Sequence, residues 1–173
     1  AFNACLHPFI RNTVGSMEFG GCFLNKRLNR NNDGGTTRCT TDIFQLATTV
    51  LFQNPVQNFA LAPNNLKDVS PVCMDYMKTI PTTWDETCFI DGYPGKYVVL
   101  ARRHGGTWYV AAINAGKETL KLKLDLEMFA GKTVSLYKDD KKGAPQLVPL
   151  KVKENGKVQL EILPQGGVVL VNK

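Results

Sequence analysis

The sequence predicts an α+β chain in two parts, a βαβα segment followed by a small antiparallel β-sandwich. Three observations carry that expectation. Apolar residues recur at helical spacing only before residue 81, and they alternate with polar residues only after residue 96. The charge also changes sign between the halves: residues 1–95 hold seven Lys/Arg against eight Asp/Glu, whereas 96–173 hold fourteen against seven.

The elements follow in order. Residues 36–53 place Ile43, Leu46, Ala47, Val50 and Leu51 at i, i+3, i+4, i+7, i+8, one face of a helix. Threonines before it can cap its start, and Asn54-Pro55 ends it. The apolar run 56–62, too short for a helix and closed by Pro63-Asn64-Asn65, reads as a buried strand. Ser70-Pro71 then offers a cap with proline at the first helical position, and Val72, Tyr76, Met77 and Ile80 line a second helical face up to Pro81. The polar stretch 25–35, rich in Asn, Arg and Gly, reads as a mobile loop. Residues 81–95 read as a linker anchored by Trp84. Beyond it come seven short strands at 96–103, 107–113, 119–126, 133–137, 147–153, 157–163 and 167–171. Turn signals separate them: His104-Gly105-Gly106 between the first two, and Glu154-Asn155-Gly156, an Asn-Gly hairpin signal, between 147–153 and 157–163.

Composition narrows the function. At 173 residues the chain is too short for a closed (β/α)8 barrel, which takes about 250 residues. No window approaches the ~18 apolar residues of a spanning helix, so no membrane partner is expected. Ala1-Phe2-Asn3 shows neither an initiating Met nor a basic leader and reads as the start of a piece of something longer. The C-terminal lysines alternate with aliphatics, as in Leu120-Lys121-Leu122-Lys123-Leu124, the pattern of a wet sheet face. Nucleic-acid surfaces instead cluster Arg with stacking aromatics, so no nucleic acid is expected. Cys5, Cys22, Cys39, Cys73 and Cys88 form no metal-ligand spacing with His7 or His104 and read as thiols.

Catalytic motifs are absent from the sequence: no GxGxxG, P-loop, HExxH or GxSxG occurs. His104 sits in a turn and His7 precedes Pro8, positions that read as solvated and structural. Glycoside hydrolysis needs two carboxylates facing one sugar. Glu18, among glycines after an apolar stretch, could face a cleft. Asp85 and Glu86 follow Trp84, where salt bridges and turn hydrogen bonds account for them. No catalytic pair and no metal ligand set is assigned.

A resemblance goes further. Residues 8–19 (PFIRNTVGSMEF), 52–60 (FQNPVQNFA), 80–87 (IPTTWDET), Asp91-Gly92, 95–99 (GKYVV), Ala101-Arg102-Arg103 and Trp108-Tyr109-Val110 resemble, in order, segments of glycoside hydrolase family 97. The junction Thr82-Thr83-Trp84-Asp85-Glu86 is the most specific of these. The resemblance implies a C-terminal fragment of a calcium-dependent exo-acting α-glucosidase or α-galactosidase of the type found in Bacteroidetes, periplasmic or secreted, acting on oligosaccharides. Residues 1–80 would then be the terminal βα units of the catalytic (β/α)8 barrel, 81–95 the linker and 96–173 the C-terminal all-β sandwich. The family's catalytic carboxylates and calcium ligands lie N-terminal to the matching region, so the fragment is expected to be inactive and to hold no cofactor. The chain departs from the family at Gly20-Gly21, where Thr-Pro is usual, and at Gln53-Asn54, where Glu-Ser is usual.

Arg11, Glu18 and Trp108 are the candidate substrate-binding residues. An alternative reading makes the β-domain a non-catalytic module for carbohydrate binding or oligomer assembly. Trp108 and Tyr109 are adjacent on a strand and point to opposite faces, which argues against a two-aromatic platform. Homo-oligomerisation is expected through the barrel-derived segment, whose helices would keep apolar surface and whose strand would lack partners. The competing expectation is that residues 1–54 pack onto the β-domain and bury that surface within one chain.

Overall fold

The computed structural model describes residues 1–18, 24, 38–61 and 63–172. The expected mobile stretch 25–35, Gly20-Gly21 and Cys22 lie outside the described residues. Among the described residues four helices open the chain: α1 (Phe2–Leu6), α2 (Arg11–Val14), α3 (Asp42–Leu51) and α4 (Pro71–Met77), with a 3-10 turn at Pro63–Asp68 before α4. Eight strands follow: β1 (Glu86–Tyr93), β2 (Tyr97–His104), β3 (Thr107–Asn114), β4 (Leu120–Asp125), β5 (Thr133–Asp139), β6 (Pro145–Lys151), β7 (Lys157–Ile162) and β8 (Gly167–Val171). Six of them form one antiparallel sheet in the order β1-β2-β3-β8-β5-β6, and β4 pairs with β7 in a second.

The six-stranded sheet is covered on both faces. Val98, Leu100, Tyr109, Ala111, Ile113, Val169 and Val171 face the helices and share a core with Ile43, Phe44, Leu46, Ala47, Val50 and Leu51 of α3. On the other face, Val99, Ala101, Val110, Ala112, Val168 and Leu170 meet Leu122, Leu124, Phe129, Val158, Leu160 and Ile162. The antiparallel sandwich is therefore present, with a helical layer added. The apolar stripe of α3 is buried within the chain on β3 and β8, the competing one of the two expectations.

Local chemistry explains the boundaries. Thr41 caps α3, its Oγ1 accepting from the Phe44 amide at 3.1 Å, and the helix stops at Phe52, just before Asn54-Pro55. Pro71 opens α4 as read. Gly105-Gly106 turn β2 into β3, Gly105 at φ +56°.

Three expectations need correction. The run 56–62 is not a buried strand over its described residues, 56–61: they hold one bridge residue, Gln57, and Val56 is 69% exposed. Among the described residues before β1 no strand offers it a ladder, so the partial-barrel βαβα pattern is not seen here. The 81–95 linker contains β1, paired along its length with β2. A register shift between Phe89 and Asp91 breaks the alternation that would have revealed it. Finally, Asn155-Gly156 does reverse the chain, with Gly156 at φ +71°, but β6 and β7 are not paired with each other. The turn carries the chain from the large sheet to the small one.

Candidate functional site: a polar groove between helices and sheet

The alternation of β2 puts Arg102 on the same face as Val98 and Leu100, pointing toward the helical layer. It is 3% exposed. Its Nη1 donates to the Phe52 carbonyl at 2.9 Å, holding the end of α3 to the sheet. The guanidinium lies 5.8 Å from the Trp84 ring. Burial pulls its pKa down to about 10, so it stays cationic at neutral pH. No carboxylate pairs with it among the described residues.

Above Arg102 opens a groove of about 740 Å3, lined by Phe9, Asn12, Thr13, Gln53, Trp84 and Phe89 among others. Phe9 meets Phe89 edge-on at 5.8 Å, and Trp84 meets Tyr109 at 5.3 Å, so the N-terminal segment is fastened to the sheet by aromatic contacts. Gly92 permits that closeness: a Cβ there would stand 2.9 Å from the Phe9 ring. The Met17 amide donates to the Gln53 carbonyl at 2.9 Å, closing the rim. Three of the lining residues hold buried polar atoms without a protein partner among the described residues: the Asn12 side-chain amide, Trp84 Nε1 and Arg102 Nε. Asn12, Thr13, Ser16, Gln53 and Thr82 give the groove a polar lining, and among the described residues no carboxylate, His or Cys lines it.

The sequence-predicted site residues are not gathered here. Arg11 is exposed and spends its guanidinium on the carbonyls of Gly15 and Ser16, at 3.5 and 3.1 Å. Glu18 is exposed. Trp108 is half-buried on the opposite face of the sheet from Tyr109, with the Arg103 guanidinium 5.9 Å from its ring. Asp85 and Glu86 pair with Arg103 at 3.6 and 3.2 Å, and Asp85 accepts from the Gly105 amide at 2.7 Å. His7 packs edge-on against Phe52 at 5.3 Å, and exposed His104 lies 2.9 Å from the Thr83 carbonyl. Sequence reasoning missed Arg102, although strand alternation from Val98 through Leu100 was signal enough to place it inward. Among the described residues, no three His, Cys, Asp or Glu side chains converge on one point. No helix among them is long and apolar enough to cross a membrane.

Comparison with known proteins bears on the same regions. The family described as "Glycosyl-hydrolase 97 C-terminal, oligomerisation" matches residues 83–172. A retaining α-galactosidase of Bacteroides thetaiotaomicron is 29% identical over 94% of this chain and 26% of its own. The crystal structure of a β-arabinopyranosidase superposes with a TM-score of 0.96 at 84% identity, covering 99% of this chain and 27% of that one. A glycoside hydrolase family 97 enzyme from Pseudoalteromonas sp. strain K8, in complex with panose, shares the fold with a TM-score of 0.81 at 23% identity, over 98% of this chain and 28% of its own. The chain thus spans about a quarter of the length of these relatives.

Proposed function

This chain belongs to glycoside hydrolase family 97, and on that premise we propose that it is the C-terminal portion of an exo-acting glycosidase, itself without hydrolytic activity. The observation that carries the reading is the 84% identity to a β-arabinopyranosidase over nearly the whole chain. A β-arabinopyranoside of the L series has the ring stereochemistry of an α-D-galactopyranoside and lacks only the C6 hydroxymethyl group. The names of the two relatives therefore describe one substrate shape, and the parent protein would remove such terminal sugars from oligosaccharides. α-Glucosides, epimeric at C4, stand second, because a site that hydrogen-bonds the C4 hydroxyl rejects the epimer.

In this reading residues 1–80 are the closing βα units of the catalytic barrel, seated on the C-terminal sandwich. Ile10, Val14 and Val56 support it: they are 56%, 85% and 69% exposed, the kind of apolar surface that neighbouring βα units cover. Arg11 and Glu18 would stand on the side facing substrate. Calcium would be held by residues of the parent, periplasmic or secreted, outside this chain. The oligomerisation named in the family's description supports assembly of copies, with the exposed barrel-derived residues contributing.

The test is an aryl-glycoside assay of the full-length parent beside the 173-residue chain. The parent is expected to hydrolyse β-L-arabinopyranosides and α-galactosides in preference to α-glucosides. The chain alone is expected to show no turnover, with or without calcium. A parent active only on α-glucosides overturns the substrate, and turnover by the chain that Glu18→Gln abolishes overturns the non-catalytic role.

A further inference from the structure

On the face of the molecule away from the helices lies a second groove, of about 590 Å3, where β4 and β7 meet the edge strand β6. Its floor is the outer margin of the sandwich core: Leu124, Leu150 and Val158. Its walls carry Lys123 from β4, Lys157 from β7, and Lys151 and Lys153 from the end of β6 and the turn beyond. All four are exposed, and none is ion-paired among the described residues. Among the described residues the one acid on the lining is Asp125, so four positive charges face one negative charge. Lys121 differs: its neighbour across the ladder is Glu161, 3.6 Å away, whereas Lys123 has Gln159 opposite.

We propose that this groove binds a linear anionic glycan, one bearing uronate carboxylates, along its length. β4, β6 and β7 are all edge strands, where lysines discourage pairing with other chains; edge guarding asks only that each strand carry a charge, whereas these lysines line one cleft from both sides. Lys151 and Lys153 are two residues apart, so about 6.6 Å separates their backbones if the strand geometry continues, a spacing suited to successive charges on a chain and not to one phosphate. Among the described residues the lining has no Arg for bidentate phosphate recognition and no aromatic ring on which a neutral sugar or a base could stack. What remains is a set of hydrated point charges over a shallow apolar floor, which suits carboxylates spread along a polar chain. The volume lies within the about 300–1,000 Å3 of ligand clefts. That the polyanion is a glycan rests on the reading of the parent as a glycosidase.

The test is affinity electrophoresis and calorimetry of the whole 173-residue chain with polygalacturonate, neutral galactan, polyphosphate, duplex DNA and phosphatidylserine vesicles. Saturable, salt-sensitive binding of polygalacturonate is expected, with none to neutral galactan. The triple variant Lys123→Gln/Lys153→Gln/Lys157→Gln should weaken it about tenfold, the sum of three screened charge contacts, while Lys78→Gln/Lys117→Gln leaves it unchanged. On the wild-type chain, polygalacturonate should protect Lys123 and Lys153 from acetylation more than Lys78. No binding, binding or protection indifferent to these lysines, or equal binding of polyphosphate, DNA or vesicles overturns the proposal. Hydrolysis by the parent is scored in a separate assay, so either reading can fail without the other.

Discussion

The central sheet has two covered faces, and they are built differently. Toward the lysine groove, β4 and β7 close a core from a chain stretch that the sheet strands themselves enclose, residues 120–162 lying between β3 and β8. Toward the polar groove, α3 reaches the sheet from far earlier in the chain and is tied down by Arg102 and by Thr41. The first core belongs to the sandwich; the second is an attached layer. On this arrangement the sandwich should hold its fold if the helices loosen, whereas the helices depend on the sandwich.

The largest effect should come from breaking the sandwich core. Phe129 is wholly buried in it, and Phe129→Ala should cost about 3–5 kcal/mol. Phe44, 2% exposed in α3, removes a similar volume when cut to Ala, but its loss should open α3 locally. Hydrogen exchange separates the two. Phe44→Ala should speed exchange in α3 and leave β4 and β7 protected, and Phe129→Ala should lower protection throughout. Equal loss of protection in both variants would mean one cooperative core.

Next comes the seam between layers at Asp139, at the end of β5. Burial raises its pKa from 3.8 to about 6, nearby Asp42 adds to the rise, and donors from Thr41 and Gly167, at 2.7 and 3.3 Å, oppose it. Since the folded pKa lies above the unfolded one, the unfolded chain ionises first as pH rises. The stability tied to Asp139 is thus complete below about pH 4, is lost between about pH 4 and 6, and changes no further above that. Asp139→Asn should remove that loss: urea midpoints of wild type and variant should converge at the acid end and separate toward pH 6.5, the variant being the more stable there. A constant difference across the window would show that Asp139 titrates normally.

The comparison also explains what was legible in the sequence. β4 and β7 were read from clean alternation because one of their faces is wet, Lys121 and Lys123 outward and Leu122 and Leu124 inward. In β2, β3 and β8 the runs Val98-Val99-Leu100-Ala101, Val110-Ala111-Ala112-Ile113 and Val168-Val169-Leu170-Val171 are apolar throughout because both faces are covered, which announces a layer on each side. The Asn155-Gly156 signal states that the chain turns, and it carries no information on which strand becomes the partner. The polar groove was hidden for a related reason: Phe9, Asn12, Trp84 and Arg102 meet only after the N-terminal segment docks on β1 and β2. Glu18 stands out in the sequence by its local company, and local company does not say which side chain turns inward.

A smaller effect tests how tightly the helical layer is seated. Gly167 begins β8, and a Cβ there would come within 2.8 Å of Phe44 Cα and 2.9 Å of the Ile43 carbonyl oxygen, both backbone of α3. Gly167→Ala should push α3 off the sheet and cost about 1–3 kcal/mol. Thermal denaturation measures the cost, and a variant as stable as wild type would show that the helix shifts freely.

The smallest expected effect is at Thr41, where a single hydroxyl serves both the helix and the seam. Its Oγ1 accepts from the Phe44 amide at 3.1 Å as the cap of α3 and donates to Asp139 Oδ2 at 2.7 Å. Thr41→Val keeps the shape and removes both bonds. The lost cap should cost about 1 kcal/mol at any pH. The lost donor removes one of the groups holding the Asp139 pKa down, so the pH window assigned to that carboxyl should move upward. Thr41→Ser keeps the hydroxyl and should behave as wild type in both respects. Urea titrations of the three proteins at pH 5 and pH 7.5 decide the matter. A Thr41→Val deficit that grows between the two pH values fits a hydroxyl serving both partners, and a deficit of equal size at both would leave Thr41 as a helix cap alone.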